Sequence, residues 1–159
     1  MEDQRKATES DRDRIVELAN GLRRELGPMR GGDLWILREA ASPPLDDTVD
    51  LWLNDPRYTL LVGTYEGSIV GYGIMEKETL ADQSHLGVIH EIYVEDASRS
   101  VSVGESLLDG LAEVANEQKC VGLDVRVLPG HRLAKNFFEA QDFRARIIVM
   151  HRDLKSDKT

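Results

Sequence analysis

The sequence predicts a mixed α/β fold, with helices on both faces of a mostly antiparallel sheet. Three observations support this prediction. Apolar residues alternate with polar ones in some segments and recur at helical spacing in others. Glu66-Gly67 separates two strand-like segments, as in a tight hairpin. The predicted meander leads into strand–helix–strand units, an order typical of a mixed sheet flanked by helices.

The N-terminal region predicts a short strand at residues 5–8 and then a helix. Thr8 and Ser10 can cap this helix, and acidic residues follow in its first turn, where the helix dipole favours them. Apolar residues then recur at helical spacing at Ile15, Leu18, Ala19 and Leu22. Gly27-Pro28 ends the helix.

The next region is the least regular in the chain. Trp35 lies in an apolar segment that Ser42-Pro43-Pro44 interrupts. Asp46-Asp47 can start a short helix that carries Trp52. We expect both tryptophans to pack in the core, with a substrate pocket as the alternative.

The remainder of the chain alternates strands and helices. Strands are predicted at residues 58–65, 68–76, 86–94, 121–127 and 144–152, and helices at residues 103–119 and 132–140. No repeat or linker divides the sequence, so we predict a single domain over residues 1–159.

Composition excludes several functional classes. A net charge of −9 disfavours nucleic-acid binding, which needs clustered basic residues. No apolar stretch is long enough to span a membrane, and the charged N-terminus resembles no secretory signal. The single cysteine, Cys120, excludes an internal disulfide, and the histidines have no metal-ligand spacing with it. These features favour a cytoplasmic protein with no bound metal and no membrane or nucleic-acid partner.

One segment has the pattern of an anion-binding site. A buried strand ending in Ile92-Tyr93-Val94 leads through a short loop to a helix that begins near Gly104. The unpaired amides and the dipole of a helix N-terminus can hold a phosphate or pyrophosphate, and Arg99 adds a permanent charge. On physical grounds alone, Ser100 or Ser102 acting as a simple helix cap is the better explanation.

This segment resembles the acetyl-coenzyme A signature of GNAT-type N-acetyltransferases. Arg99 and Gly104 match that signature, whereas Ser102 replaces its middle glycine. The later run from Ala134 to Phe143 and the opening from Ala7 to Asp11 are also similar to the family's patterns.

The resemblance implies a GNAT-like fold in which the strands near Val94 and Val121 splay apart to admit acetyl-CoA as co-substrate. It also implies cofactor contacts from Ile92, Tyr93, Val94, Arg99, Ser100, Val101, Ser102, Val103, Gly104, Glu105 and His131. Members of this family often form homodimers.

Acetylation of an amine requires a base, because an alkylammonium has a pKa of about 10.4. Glu91 is the first candidate and His90 the second, and strand alternation is expected to point them to opposite faces. Phe138 stands where relatives carry a proton-donating tyrosine, so Tyr93 is considered as a substitute donor. The alternative for Glu91 and His90 is that they are ordinary strand residues, one solvated and one in polar contact with a helix. The alternative for Tyr93 is packing in the sheet.

Two functions follow from these residues. The first is acetyl transfer to an amine of a small molecule or a peptide. The second is a catalytically impaired module that binds CoA or a protein, which Phe138 and Ser102 favour.

Overall fold

The computed structural model describes residues 1–154, with side chains for all of them except Ser100 and Val101. The strands are β1 Glu2–Lys6, β2 Tyr58–Tyr65, β3 Ser68–Thr79, β4 His85–Val94 and β5 Cys120–Val125. The α-helices are α1 Arg12–Leu26, α2 Gly32–Leu34, α3 Leu45–Asn54, α4 Val103–Glu117 and α5 Arg132–Ala140. Short 3₁₀ turns occupy Glu9–Asp11 and Asp96–Val101, and a π-helical turn, Trp35–Glu39, continues α2.

The five strands form one sheet in the order β1-β2-β3-β4-β5. Neighbouring strands from β1 to β4 are antiparallel, and β4 and β5 are parallel. The hairpin between β2 and β3 is confirmed, because Tyr65 pairs with Ser68. Glu66 and Gly67 both have positive φ, as the tight turn requires.

Helices cover both faces of the sheet, which confirms the predicted fold class. On one face, α1 and α3 pack over Val62, Tyr72 and Ile74. On the other face, α4 and α5 pack over residues such as Leu61 and Met75. Trp35 and Trp52 are buried in the core on the α1 face, as expected.

The first helix starts with a reciprocal cap. The Thr8 amide donates to the Asp11 carboxylate over 2.8 Å, and Arg5 donates to the same carboxylate over 2.8 and 3.1 Å. These hydrogen bonds, with that of Arg5 the strongest, hold the pKa of Asp11 below its usual value against the opposing effect of burial. The preceding strand lies at Glu2–Lys6 rather than residues 5–8, and it pairs with the edge of β2.

The predicted strand at residues 144–152 is wrong. This segment has no strand pairing among the described residues, and its apolar side chains Ile147, Ile148, Val149 and Met150 are exposed. Its composition favours a strand, but a strand forms only where a neighbour supplies hydrogen bonds. Within the described part of the chain, no helix is long and apolar enough to cross a membrane.

Candidate functional site

The centre of the site is the place where β4 and β5 separate. The two strands pair from His85 opposite Cys120 to Ile89 opposite Val125, and β4 then continues to Val94 without β5. On its other side, β4 stays paired with β3 as far as Val94. The predicted splay is therefore present, but Val121 lies at the paired end of β5, and the strands part beyond Val125. Residues 90–94 thus keep one backbone edge without a strand partner among the described residues.

A β-bulge lies at the point where the strands separate. Ile74 pairs with Glu91 and Met75 with Ile89, so His90 is an extra residue in β4. Glu91 accepts a hydrogen bond from Tyr72, which lies on the α1 face of the sheet. His90 is hydrogen-bonded to Glu76. Met75 points to the α4 face, so its neighbour Glu76 points to the α1 face as well. The prediction that His90 and Glu91 point to opposite faces is therefore wrong, because the bulge interrupts the alternation.

Glu91 belongs to a buried ionic network. The whole residue is 3 % exposed, and Arg23 on α1 donates to the two carboxylate oxygens over 3.2 and 2.8 Å. The Tyr72 hydroxyl donates over 2.6 Å and the Ala41 amide over 3.1 Å. Burial, followed by the charge of Glu91, raises the pKa of Tyr72 well above its usual value. Each Glu91 oxygen already accepts two hydrogen bonds, so the network ties β4 to β3, α1 and the chain near Ala41.

Sequence reasoning missed Arg23 and Tyr72. Arg23 follows Ala19 by four residues and so continues the buried stripe of α1, which is an unusual place for a charged side chain. That placement is a signal that a buried carboxylate lies opposite.

The His90 ring lies close to two carboxylates. Its Nε2 is 2.8 Å from Glu76 Oε1. One ring nitrogen of His90 and one carboxylate oxygen each of Glu76 and Glu78 lie within 4.8 Å of one another. The Arg57 guanidinium lies 3.7 Å from Glu76 and supplies positive charge to the cluster. A hydrogen-bonded carboxylate that orients an imidazole is the arrangement expected for a histidine acting as a base.

The Arg99 side chain forms hydrogen bonds and ion pairs within the protein. Its Nε donates to the Val94 carbonyl over 2.8 Å, and its guanidinium pairs with Glu25 and, at 3.4 Å, with Asp96. The guanidinium carbon also lies 5.5 Å from the centre of the Tyr93 ring. Arg99 therefore holds the loop after β4 against α1.

A cleft of 480 Å³ opens between the segments that follow β4 and β5. Its lining includes Glu25, Asp96, Arg99 and His131. His131 Nε2 lies 3.6 Å from Glu25, at the start of α5. Burial lowers the pKa of His131, Glu25 partly opposes this shift, and Arg99 adds to it. The imidazole is consequently held in its neutral form near neutral pH.

The N-terminus of α4 follows the loop that connects β4 to α4. Ser102 precedes it with φ of +59° and makes no side-chain capping bond to the described residues. The first helical bond runs from the Ser106 amide to the Ser102 carbonyl, so the amides of Val103, Gly104 and Glu105 precede it. A Cβ on Gly104 would lie 3.6 Å from Phe137, an ordinary contact, so packing does not require glycine there. Amides at a helix N-terminus can hold an anion, so this position is a candidate anion site.

Phe138 and Tyr93, the two aromatic residues considered for the proton-donor role, both have packing contacts. Phe138 is buried, with ring centres 5.1 Å from Phe137 and 5.3 Å from Phe143. Tyr93 packs on α1, where its Oη would lie 2.9 Å from a Cβ on Gly21, and burial is the main cause of its raised pKa. Ile92 and Val94 pack on the α4 face. The roles predicted for Ile92, Tyr93 and Val94 at the cofactor, and for Tyr93 as proton donor, stay predictions.

Comparison with known proteins places this geometry in a family. Residues 28–143 match the model of the acetyltransferase (GNAT) family. No curated protein sequence matches the chain at a significant level.

Three solved structures share the fold. A Bacillus halodurans protein, crystallised as a tetramutant, is 18% identical with a TM-score of 0.80, covering 95% of this chain and 99% of its own. The ribosomal-protein-alanine N-acetyltransferase of Brucella melitensis biovar Abortus is 18% identical with a TM-score of 0.67, covering 95% and 100%. The glucosamine-6-phosphate N-acetyltransferase of Arabidopsis thaliana is 16% identical with a TM-score of 0.69, covering 98% and 99%.

Proposed function

Because the chain belongs to the acetyltransferase (GNAT) family, whose membership indicates an acyltransferase, we propose that it transfers an acetyl group from acetyl-CoA to an amine. The observation that carries this proposal is the edge of β4 at residues 90–94, which no described strand pairs with, beside the N-terminus of α4. An extended amide-containing arm can pair with such an edge while a pyrophosphate binds at the helix.

The residues present fit acetyl-CoA. The amides of Val103, Gly104 and Glu105 would hold the pyrophosphate, and the backbone of Ile92 and Val94 would pair with the pantetheine arm. Arg99 supports this site by holding the loop in place, since its hydrogen bonds go to Val94, Glu25 and Asp96. When bound, acetyl-CoA supplies the activated acetyl thioester.

We favour His90 over Glu91 as the general base. Glu91 accepts four hydrogen bonds within the core, so proton abstraction would require the loss of a buried partner. His90 lies where β4 and β5 begin to separate and is partly exposed. Among the described residues, its side-chain hydrogen bond goes to Glu76. A neutral imidazole there can accept a proton from the acceptor amine, directly or through one water.

The first test is acetyl-CoA binding by calorimetry with a Gly104→Asp variant. Aspartate in the first turn suits the helix dipole, so the variant should fold, but it places negative charge beside the pyrophosphate. We expect the intact protein to bind and the variant to lose at least tenfold in affinity. Leu51→Glu, which adds the same charge on the exposed face of α3, should bind as the intact protein does. Absence of binding by the folded intact protein would refute the proposal.

The second test separates binding from catalysis. His90→Ala should lower turnover with an accepted amine by about 10²- to 10⁴-fold while acetyl-CoA affinity stays unchanged. Unchanged turnover would exclude His90 as the base.

A catalytically impaired CoA-binding module is the second candidate. It is favoured by Phe138, which is buried in an aromatic cluster at the position of the family's usual tyrosine and carries no transferable proton. Tight acetyl-CoA binding with no turnover across small amines, polyamines and peptide N-termini would support this module over the enzyme.

A further inference from the structure

The backbone groups of Ile92 and Val94 face the opening beyond the end of β5. The Glu95 amide donates to a carbonyl of β3 over 2.9 Å, so the backbone groups of Glu95 point towards β3. This direction alternates along an antiparallel strand, so the groups of Tyr93 also point towards β3, whereas those of Ile92 and Val94 point away from it. The hydrogen bond from Arg99 Nε to the Val94 carbonyl agrees with this direction.

The bulge at His90 produces this arrangement. An extra residue in a strand moves the alternation by one position for the residues that follow it. A β4 without the bulge would place Glu91 opposite Gly73, where Ile92 now lies. The backbone groups of Glu91 and Tyr93 would then face the opening, and those of Ile92 would point towards β3. The bulge therefore selects the backbone groups that an extended ligand can reach.

The apolar residues of β4 do not fix this register by their polarity. Residues 91–94 contain one charged residue, Glu91, and three large apolar ones. Both faces of the sheet are covered here, with Tyr93 packed on the α1 face and Ile92 on the α4 face. Where both faces of a strand are buried, an apolar side chain finds an apolar environment on either of them.

Glu91 does fix the register, because the partners of its carboxylate lie on the α1 face. There it accepts hydrogen bonds from Arg23 and Tyr72. In the register without the bulge it would lie opposite Gly73, where a Cβ would be 3.1 Å from Leu111 on the α4 face. Burying a carboxylate among apolar side chains without its hydrogen-bond donors is strongly unfavourable. The buried network consequently holds the bulge in place.

We propose that Glu91 is a positioning residue for acetyl-CoA. Its buried network fixes the bulge, and the bulge directs the backbone groups of Ile92 and Val94 to the pantetheine arm. Glu91 thus acts through the backbone of its own strand and not by abstracting a proton. This inference rests on the proposed function, because it assigns a role at the same site, but the register can be measured without any ligand.

The first test is amide hydrogen exchange of the unliganded protein, followed by NMR. We expect the Tyr93 amide, which faces β3, to exchange at least about tenfold more slowly than the Val94 amide, which faces the opening. The double variant Arg23→Met/Glu91→Met replaces the buried pair by apolar residues, a change that folded proteins tolerate. We expect this variant to lose or reverse the difference between the two amides.

A second variant and a control accompany this test. Adding Tyr72→Phe to the double variant also removes the hydroxyl that has lost its acceptor, and the triple variant should give the same exchange result. Val49→Ala shortens a buried side chain of α3, which packs over β2. It should destabilise the fold and raise both exchange rates without changing their order.

The second test is calorimetry with acetyl-CoA. We expect the double variant to bind at least about tenfold more weakly than the intact protein, because the outward backbone groups no longer match the arm. Val49→Ala should bind as the intact protein does, since a loss of stability alone does not alter the register of β4.

Three results would overturn the inference. They are an exchange order that is unchanged in both the double and the triple variant, a changed order with unchanged affinity, or a changed order in Val49→Ala. Absence of acetyl-CoA binding by the intact protein would instead refute the proposed function itself, on which the exchange measurement does not depend.

Discussion

Replacing Arg23 by methionine tests whether the buried network stabilises the fold. Met is apolar and of similar length, so the variant removes the charge and two hydrogen bonds to Glu91 with little change in volume. The Arg23 and Glu91 side chains are 13% and 1% exposed, so the remaining carboxylate has little access to water. Removing one partner of a buried pair costs about 3–5 kcal/mol. For a chain of this size, that corresponds to a fall in Tm of about 6–20 °C.

The assay is urea unfolding at neutral pH, followed by circular dichroism. Arg12→Met is the matched control, because Arg12 pairs with Asp50 at 3.6 Å on the surface, where such pairs contribute about 0–1 kcal/mol. The double variant Arg23→Met/Glu91→Met removes both charges and should be more stable than Arg23→Met alone. The reasoning would be refuted if Arg23→Met cost no more than Arg12→Met, or if the double variant lost the sum of the two single losses.

Two further predictions concern the loop and the cleft. Ser102→Gly should stabilise the protein by about 0.5–1 kcal/mol in the same urea assay. Glycine adopts the positive φ of this position without strain, and the strain that is relieved exceeds the entropy cost of glycine. A loss of stability would contradict this. His131 has a lowered pKa in the folded state, so its contribution to stability is present above pH about 6.5 and is lost as the pH falls through the folded pKa. The stability of His131→Gln, measured from pH 7.5 to 5, should therefore fall less steeply than that of the intact protein, and equal slopes would exclude the effect.

Much of the fold was predictable from local patterns. The two-residue turn at Glu66-Gly67, the helix at Arg132–Ala140 and the apolar stripe of α1 were predicted where they occur, because turn chemistry and helical periodicity act over a few residues. The strand–loop–helix unit that contains Arg99 and Gly104 was predicted for the same reason.

The features that the sequence did not predict involve contacts between residues distant in sequence. The bulge at His90 depends on the register between β3 and β4, which alternation within β4 alone does not specify. The position of Arg99 depends on Glu25, a residue of α1 that is separated from it by most of the sheet's sequence. Residues 144–152 have strand composition, but whether they form a strand depends on the availability of an edge.

The sequence by itself determined the family, the fold class and the strand–loop–helix unit that contains Arg99 and Gly104. These properties depend on residue type and on spacing within short segments, which the sequence records directly. Only the tertiary structure decided that Glu91 lies in a buried network with Arg23 and Tyr72, that His90 shares its face, and that the C-terminal segment lies outside the core. Those outcomes depend on which strands, helices and edges meet in space, and burial and pairing then assign each side chain its role.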